Sequence, residues 1–162
     1  MNSEFCEDGR APINVEYAFT AKVRVGEPLN IGSTPDGVRR FIPITGGVFS
    51  GPMAQGTVLA AGGDSQLIRS DSAVMVEATY TLRTDDGIAI SVVNRGLRRA
   101  SPDIMARLMN GEHVAREDYY FRTLAQFTAP FDSRYAEMNN YLFVGTAERE
   151  PSAAIVHFYR LL

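Results

Sequence analysis

Tyr120 and Arg122 stand two residues apart in "YYFRT", a spacing that puts both on one face of an extended chain. A phenol there can donate to a carbonyl oxygen, and a guanidinium offers a planar fork to a carboxylate or phosphate. Packed otherwise, the same pair is a structural arginine beside a core tyrosine. Glu77 lies within "VMVEATYTL", on the face opposite Val74, Val76 and Tyr80. Buried, its carboxylate would need a partner and would have a shifted pKa suited to acid or base work; outside, it is a solvated strand residue. Asn94 continues the apolar row of Ile88, Ile90 and Val92. Its amide both donates and accepts at the place where that row ends, and Gly96 beyond it allows a turn or a close approach to a ligand. Alternatively, Asn94 bonds its own backbone in an Asx turn. Gln66 follows the glycine-rich bend "AAGGDS" and either points inward or starts a strand. Glu77, Tyr120 and Arg122 are thus candidate catalytic groups, and Gln66 and Asn94 candidate substrate-binding groups. All five are expected to converge on one cavity, with Glu77 and Arg122 forming a buried pair.

Other chemistries lack their signatures. His113 and His157 are far apart and no cysteine cluster exists, so no metal centre is expected. There is no G-x-S-x-G elbow, no P-loop, and no G-x-G-x-x-G between a strand and a helix; no cofactor is expected. The charge of -3 is scattered, without the basic patch of a nucleic-acid partner. No apolar run approaches the roughly 18 residues of a membrane helix. The segment "MNSEFCEDGRAPIN" has no signal-peptide pattern. The single Cys6 rules out an internal disulfide, and a cytoplasmic location is expected. His157, alternating with Tyr159, reads as structural, and Arg69 with Asp71 as a local turn pair.

The elements that must position these groups are strands. "VEYAFTAKVRV" alternates with period two, so Val15, Tyr17, Phe19, Ala21, Val23 and Val25 should share a face. Pro28, Gly32, Pro35 and Gly37 mark a loop. Glycines scattered from Gly46 to Gly63 suggest kinks in a strongly curved sheet. Val74–Leu82 and Ile88–Asn94 form a hairpin about Asp86-Gly87, a dipeptide suited to a type I′ turn. "SPDIMARLMNG" is a short helix, capped by Ser101, opened by Pro102 and closed by Gly111. "SRYAEMNN" is a helical turn, and "YLFVGTAERE" and "AAIVHFYRLL" are closing strands. Eight to ten strands with glycine-rich turns predict an all-β antiparallel barrel, which leaves few free edges and can hold a small ligand. Residues 1–14 are expected to be a mobile arm and 15–162 a single barrel domain.

The stretches "FIPITGGVFSGPMAQGTVLAAGGDSQLIRSD", "VEATYTLRTDDGIAISVVNRGLR", "EDYYFRT" and "YLFVGTAERE" together resemble the domain of unknown function 3237 family, also called uncharacterised protein family 0311. The resemblance runs from about Val15 to the C-terminus. It implies a calycin or lipocalin-like antiparallel barrel, and family members are commonly oligomeric, so a homo-oligomer is expected. Family positions matching Glu77 are usually acidic. Some relatives are associated with cofactor-free decarboxylation of malonyl thioesters. Relatives often read Gly-Ala-Asp-Trp-Gln where this chain has Gly62-Gly63-Asp64-Ser65-Gln66. If that ring lines the family's pocket, Ser65 makes this one larger or wetter.

Three functions follow as expectations. One is a cofactor-free enzyme acting on a small carbonyl substrate, with decarboxylation of a malonyl-type thioester as its narrower form. The second is a non-catalytic barrel that carries or senses a small molecule. The third is an oligomeric accessory module. A purely apolar pocket favours binding; a converging carboxylate, arginine and amide favour catalysis.

Overall fold

The computed structural model describes residues 11–162. Cys6 and most of the expected N-terminal arm lie outside the described residues. Ten strands follow in order: β1 (Val15–Val25), β2 (Leu29–Thr34), β3 (Gly37–Ser50), β4 (Gly56–Val58), β5 (Gly63–Ile68), β6 (Val74–Thr84), β7 (Ala89–Arg99), β8 (Tyr120–Thr128), β9 (Phe143–Glu150) and β10 (Ala153–Leu161). One helix, α1 (Pro102–Met109), lies between β7 and β8. Every ladder is antiparallel.

The sheet runs β1-β10-β9-β8-β7-β6, reaches β3 through β4 and β5, and closes where β3 pairs with β1. The expected barrel therefore forms, with eight positions around its wall. β3 closes the wall by using its two halves differently. Its first half pairs with β2 and β5, and its second half with β4 and β1. Gly46 and Gly47 lie at that changeover with φ of 134° and 147°. A Cβ on Gly47 would run into the Lys22 carbonyl of the neighbouring strand, so close strand approach there requires glycine.

Three local expectations need correction. The segment after Pro28 is a short edge strand, β2, rather than a loop. Its side chains stay largely exposed, which left no hydrophobic alternation to read. In β1 the register shifts between Tyr17 and Phe19. That bulge inserts Ala18, so Ala18 and Phe19 are both fully buried while Val15 and Tyr17 are turned outward. The β6–β7 turn is not type I′, because Ser72 alone among described non-glycine residues has positive φ. Thr84 and Ile88 instead close a three-residue loop, with Gly87 at φ 88°, as in a turn completed by a glycine bulge.

The barrel interior divides by chemistry. At one end Phe19, Phe49, Phe127, Phe143 and Phe158 pack with ring centroids 4.8–5.4 Å apart. Met138, on the helical turn Ala136–Asn140, is buried in the same core, and Asn139 ties that turn to Ala129 just past β8. α1 follows β7 toward the opposite end. Ser101 accepts from the Ile104 N–H, Pro102 opens the helix, and Met105 and Leu108 are its buried anchors. Near that end the inward side chains include Arg40, Gln66 and Arg98.

Candidate active site

Strand parity builds the site. In β5, Asp64 and Gln66 share the inner face and Ser65 lies outside. In β3, Arg40 extends the inward row of Ile42 and Ile44. In β7, Arg98 continues the inward row of Ile90, Val92 and Asn94. In β8, the inward row is Phe121, Thr123, Ala125 and Phe127. β9 contributes Arg149 after Gly145 and Ala147.

These rows meet around an internal cavity of about 60 Å³ whose lining includes Asp64, Tyr80, Asn94, Phe121 and Thr123 against valine and alanine side chains. Such a volume holds roughly two waters or one small head group. Asp64 Oδ2 accepts from Gln66 Nε2 at 2.6 Å, and Gln66 Oε1 accepts from Arg40 Nε at 2.7 Å. Asp64 Oδ1 accepts from the Glu77 backbone N–H at 3.0 Å. Arg98 lies over the Phe121 ring, 5.4 Å from its centroid. Tyr119 places its hydroxyl on the Arg149 backbone N–H at 2.8 Å.

The electrostatics follow from this burial. Desolvation pushes the Asp64 carboxyl above its ordinary 3.8, and the bonds from Gln66 and Glu77 N–H and the charges of Arg98 and Arg40 only partly oppose it. Desolvation also lowers Arg98, to about 10, with repulsion from Arg149 and Arg40 adding to it; the group stays charged at neutral pH. Arg40 and Arg149 are lowered chiefly by burial. Burial raises the Tyr80 hydroxyl, and the Asp64 charge raises it further, so Tyr80 stays protonated. Asp64 thus faces three guanidiniums. Among the described residues, Arg40 Nη2, Arg98 Nε and Nη2, Asn94 Oδ1 and Thr123 Oγ1 are buried without a hydrogen-bond partner. No cluster of three or more His, Cys, Asp or Glu occurs among the described residues.

Of the five candidates read from the sequence, Gln66 and Asn94 point into this interior, 3% and 5% exposed. The other three do not converge with them. Glu77 is on the outer wall, held by Arg95 at 3.0 and 3.3 Å, and about half of its side chain is exposed. That pair replaces the expected buried Glu77–Arg122 pair. Tyr120 and Arg122 occupy the outer face of β8, where Arg122 lies over the Tyr120 ring and donates to the Phe121 carbonyl at 3.0 Å. The apolar row of β8 takes the inside, so its polar row cannot. Ser65 also faces outward, which removes the expectation that it enlarges the pocket. Asp64, Arg40, Arg98 and Arg149 were not among the candidates, although each continues an inward row that the sequence displays.

A family model described as "Protein of unknown function (DUF3237)" matches residues 13–161. The chain belongs to this family. A protein of uncharacterised family 0311 from Rhodopseudomonas palustris is 35% identical over 150 residues, covering 93% of this chain and 97% of that one. A solved structure of a conserved protein from that organism superposes with a TM-score of 0.88 at 34% identity, covering 94% and 99% of the two chains. A solved "beta-barrel like protein" from Acinetobacter baumannii gives 0.82 at 33% identity, covering 96% and 100%. More distantly, a hydroalkoxylation enzyme of Penicillium herquei is 30% identical over 82 residues, half of this chain and 54% of that one.

Proposed function

We propose that the chain is a cofactor-free acid–base enzyme acting on a small carbonyl-type substrate, with Asp64 as its proton-transfer group. One observation carries this reading. Asp64 lines the internal cavity alongside Tyr80, Asn94 and Thr123, and its burial favours the protonated form. A carboxyl moved upward from its ordinary range is better matched to proton transfer near neutral pH. Guanidinium and amide groups around it are fixed donors for oxygen charge that develops as a proton leaves or joins carbon. A simple carrier would need an apolar pocket and one anchor, whereas this cavity's lining includes a carboxyl, a phenol, an amide and a hydroxyl.

The Penicillium herquei relative is named for hydroalkoxylation. Adding an alcohol O–H across a carbon–carbon double bond moves a proton and no net electrons, so it asks for an acid and a base. The same demand fits the arrangement around Asp64. Decarboxylation of a malonyl-type thioester is a narrower case. There the donors would have to hold the thioester oxygen, because a guanidinium on the departing carboxylate would oppose its loss.

The test is exchange of protons next to a carbonyl. A panel of small ketones, keto acids and acyl thioesters is incubated with the protein in deuterium oxide and followed by proton NMR. The wild type is expected to catalyse exchange or turnover of at least one compound. Asp64→Asn should lower that rate by about 10²-fold or more. Glu77→Gln and Arg122→Ala, both on the outer wall, should leave it unchanged. Exchange that is equally fast in Asp64→Asn would overturn the assignment, and wild-type protein inert across the panel would favour the carrier.

A further inference from the structure

Arg98 has an unusual combination of properties. It is 1% exposed, yet its Nε and Nη2 lack a hydrogen-bond partner among the described residues. Those two nitrogens form the side edge of the guanidinium, whose parallel N–H bonds match the two oxygens of a carboxylate. The molecule uses this edge for that purpose on its surface. Arg95 holds Glu77 with Nε and Nη2 at 3.0 and 3.3 Å, and Arg69 holds Asp71 with the same two atoms. At Arg98 the edge is buried, and among the described residues no carboxylate is bonded to it.

The surroundings add to the demand for an anion. Arg40 keeps a buried, unpartnered Nη2 after giving its Nε to Gln66. Arg149 is inward on β9, and its repulsion is among the causes that lower Arg98. Asp64 is the acidic group that acts on these arginines, and its oxygens are already engaged by Gln66 and by the Glu77 N–H. A buried cation without a bonded partner is costly. Ordered water would satisfy the N–H groups but leave the excess positive charge. A carboxylate satisfies both.

We infer that the side edge of Arg98, with Arg40 beside it, is a carboxylate-binding subsite, so that the molecule entering the barrel is a small carboxylic acid whose carboxylate serves as a handle. This rests on the reading of the cavity as a reaction site, and it narrows the substrate class. The Arg98 guanidinium is stacked on Phe121, and Phe121 lines the same cavity as Asp64. A carboxylate on Arg98 would therefore direct the rest of a small molecule toward Asp64, Tyr80 and Asn94. The carboxylate survives the reaction, since the guanidinium stabilises it. Arg98 and Arg40 do not line that cavity, so the carboxylate would sit at its margin, and on this buried edge a singly charged carboxylate costs less to desolvate than a phosphate dianion.

The test is a binding titration of the full-length protein, followed by proton NMR of the inner aromatic and methyl signals. The probes are sodium acetate, acetamide as its neutral isostere, and sodium phosphate, all at constant chloride. Acetate should bind saturably at one site, with acetamide and phosphate about tenfold weaker or more. Arg98→Met should weaken acetate by about tenfold or more. Arg98→Lys, which keeps the charge and loses the fork, should lose the preference for acetate over phosphate. Asp64→Asn should bind acetate as tightly as wild type, because the amide stands in for the protonated carboxyl and leaves the Arg98 edge untouched. Acetate affinity within about twofold of wild type in folded Arg98→Met, or equal binding of phosphate or acetamide by wild type, would overturn the inference. The two proposals fail separately. Exchange retained by Asp64→Asn removes the proton-transfer role and leaves the subsite intact. Loss of acetate selectivity does the reverse.

Discussion

Asp64 and Glu77 sit on facing strands, and their environments give them opposite characters. Glu77 projects outward to Arg95, whose bond holds its carboxyl below the usual value. Asp64 projects inward, and burial holds its carboxyl above. The sign of the resulting pH dependence is fixed. Folded Asp64 keeps its proton at pH values where the unfolded chain has lost it, so folding takes up a proton in that window. Its contribution to stability is full below the unfolded value and is lost as pH rises through the folded one. Asp64→Asn does not titrate. Subtracting its urea-denaturation stability from that of wild type across pH should leave a component that declines as pH climbs above about 3.9. A difference that is flat, or that rises with pH, would mean that Asp64 is held as a carboxylate and is no acid.

At the scale of elements, the strands were legible because half-buried strands alternate, and α1 because its caps are local. The inward row Ile90, Val92 and Asn94 was readable, and so was the pairing of Tyr120 with Arg122 on one face. Which face is inside is equally readable from the apolar row Phe121, Ala125 and Phe127, and that row places Tyr120 and Arg122 outside. Arg98 and Arg149 carry no such signal of their own, because arginines near strand ends usually meet solvent, and neither does Arg40, whose neighbour Arg39 gives the pair the look of a solvated edge. Asp64 directly follows glycines that read as a kink, and a kink leaves the parity of the next residues unset. Those glycines allow a direct test. Gly62 and Gly87 have nearly equal φ, 84° and 88°, but a Cβ on Gly62 would collide with the Thr79 carbonyl, whereas one on Gly87 meets nothing within 4 Å. Gly87→Ala should therefore cost only the left-handed strain, about 1–2 kcal/mol. Gly62→Ala should cost more, and it should also slow Asp64-dependent exchange, because the backbone must shift two residues before Asp64. Equal denaturation midpoints for the two variants would show that β5 yields freely there.

For the whole molecule, closure of the barrel brings together residues that are remote in sequence and sorts them along its length. The aromatic end supplies cohesion: buried rings contribute through area, and their pairing adds about 0.5–1.5 kcal/mol per contact. Phe158 is fully buried and touches both Phe19 and Phe127, so Phe158→Ala should cost about 3–5 kcal/mol. The polar end works against folding. Arg98 loses its hydration, repels Arg40 and Arg149, and gains a contact with the Phe121 ring and the fields of Asp64 and Tyr119 in return. Replacing buried charge by an apolar side chain of similar volume is often neutral, or stabilising by about 1–4 kcal/mol. Arg98→Met should thus leave the urea midpoint unchanged or higher while weakening acetate binding by about tenfold or more, the pattern of a residue kept for function at the expense of stability. Phe158→Ala should do the reverse: a lower midpoint, with acetate still bound by the folded fraction. If Arg98→Met proves as destabilising as Phe158→Ala, Arg98 is a structural keystone of the interior and the division of the barrel into a cohesive end and a reactive end fails.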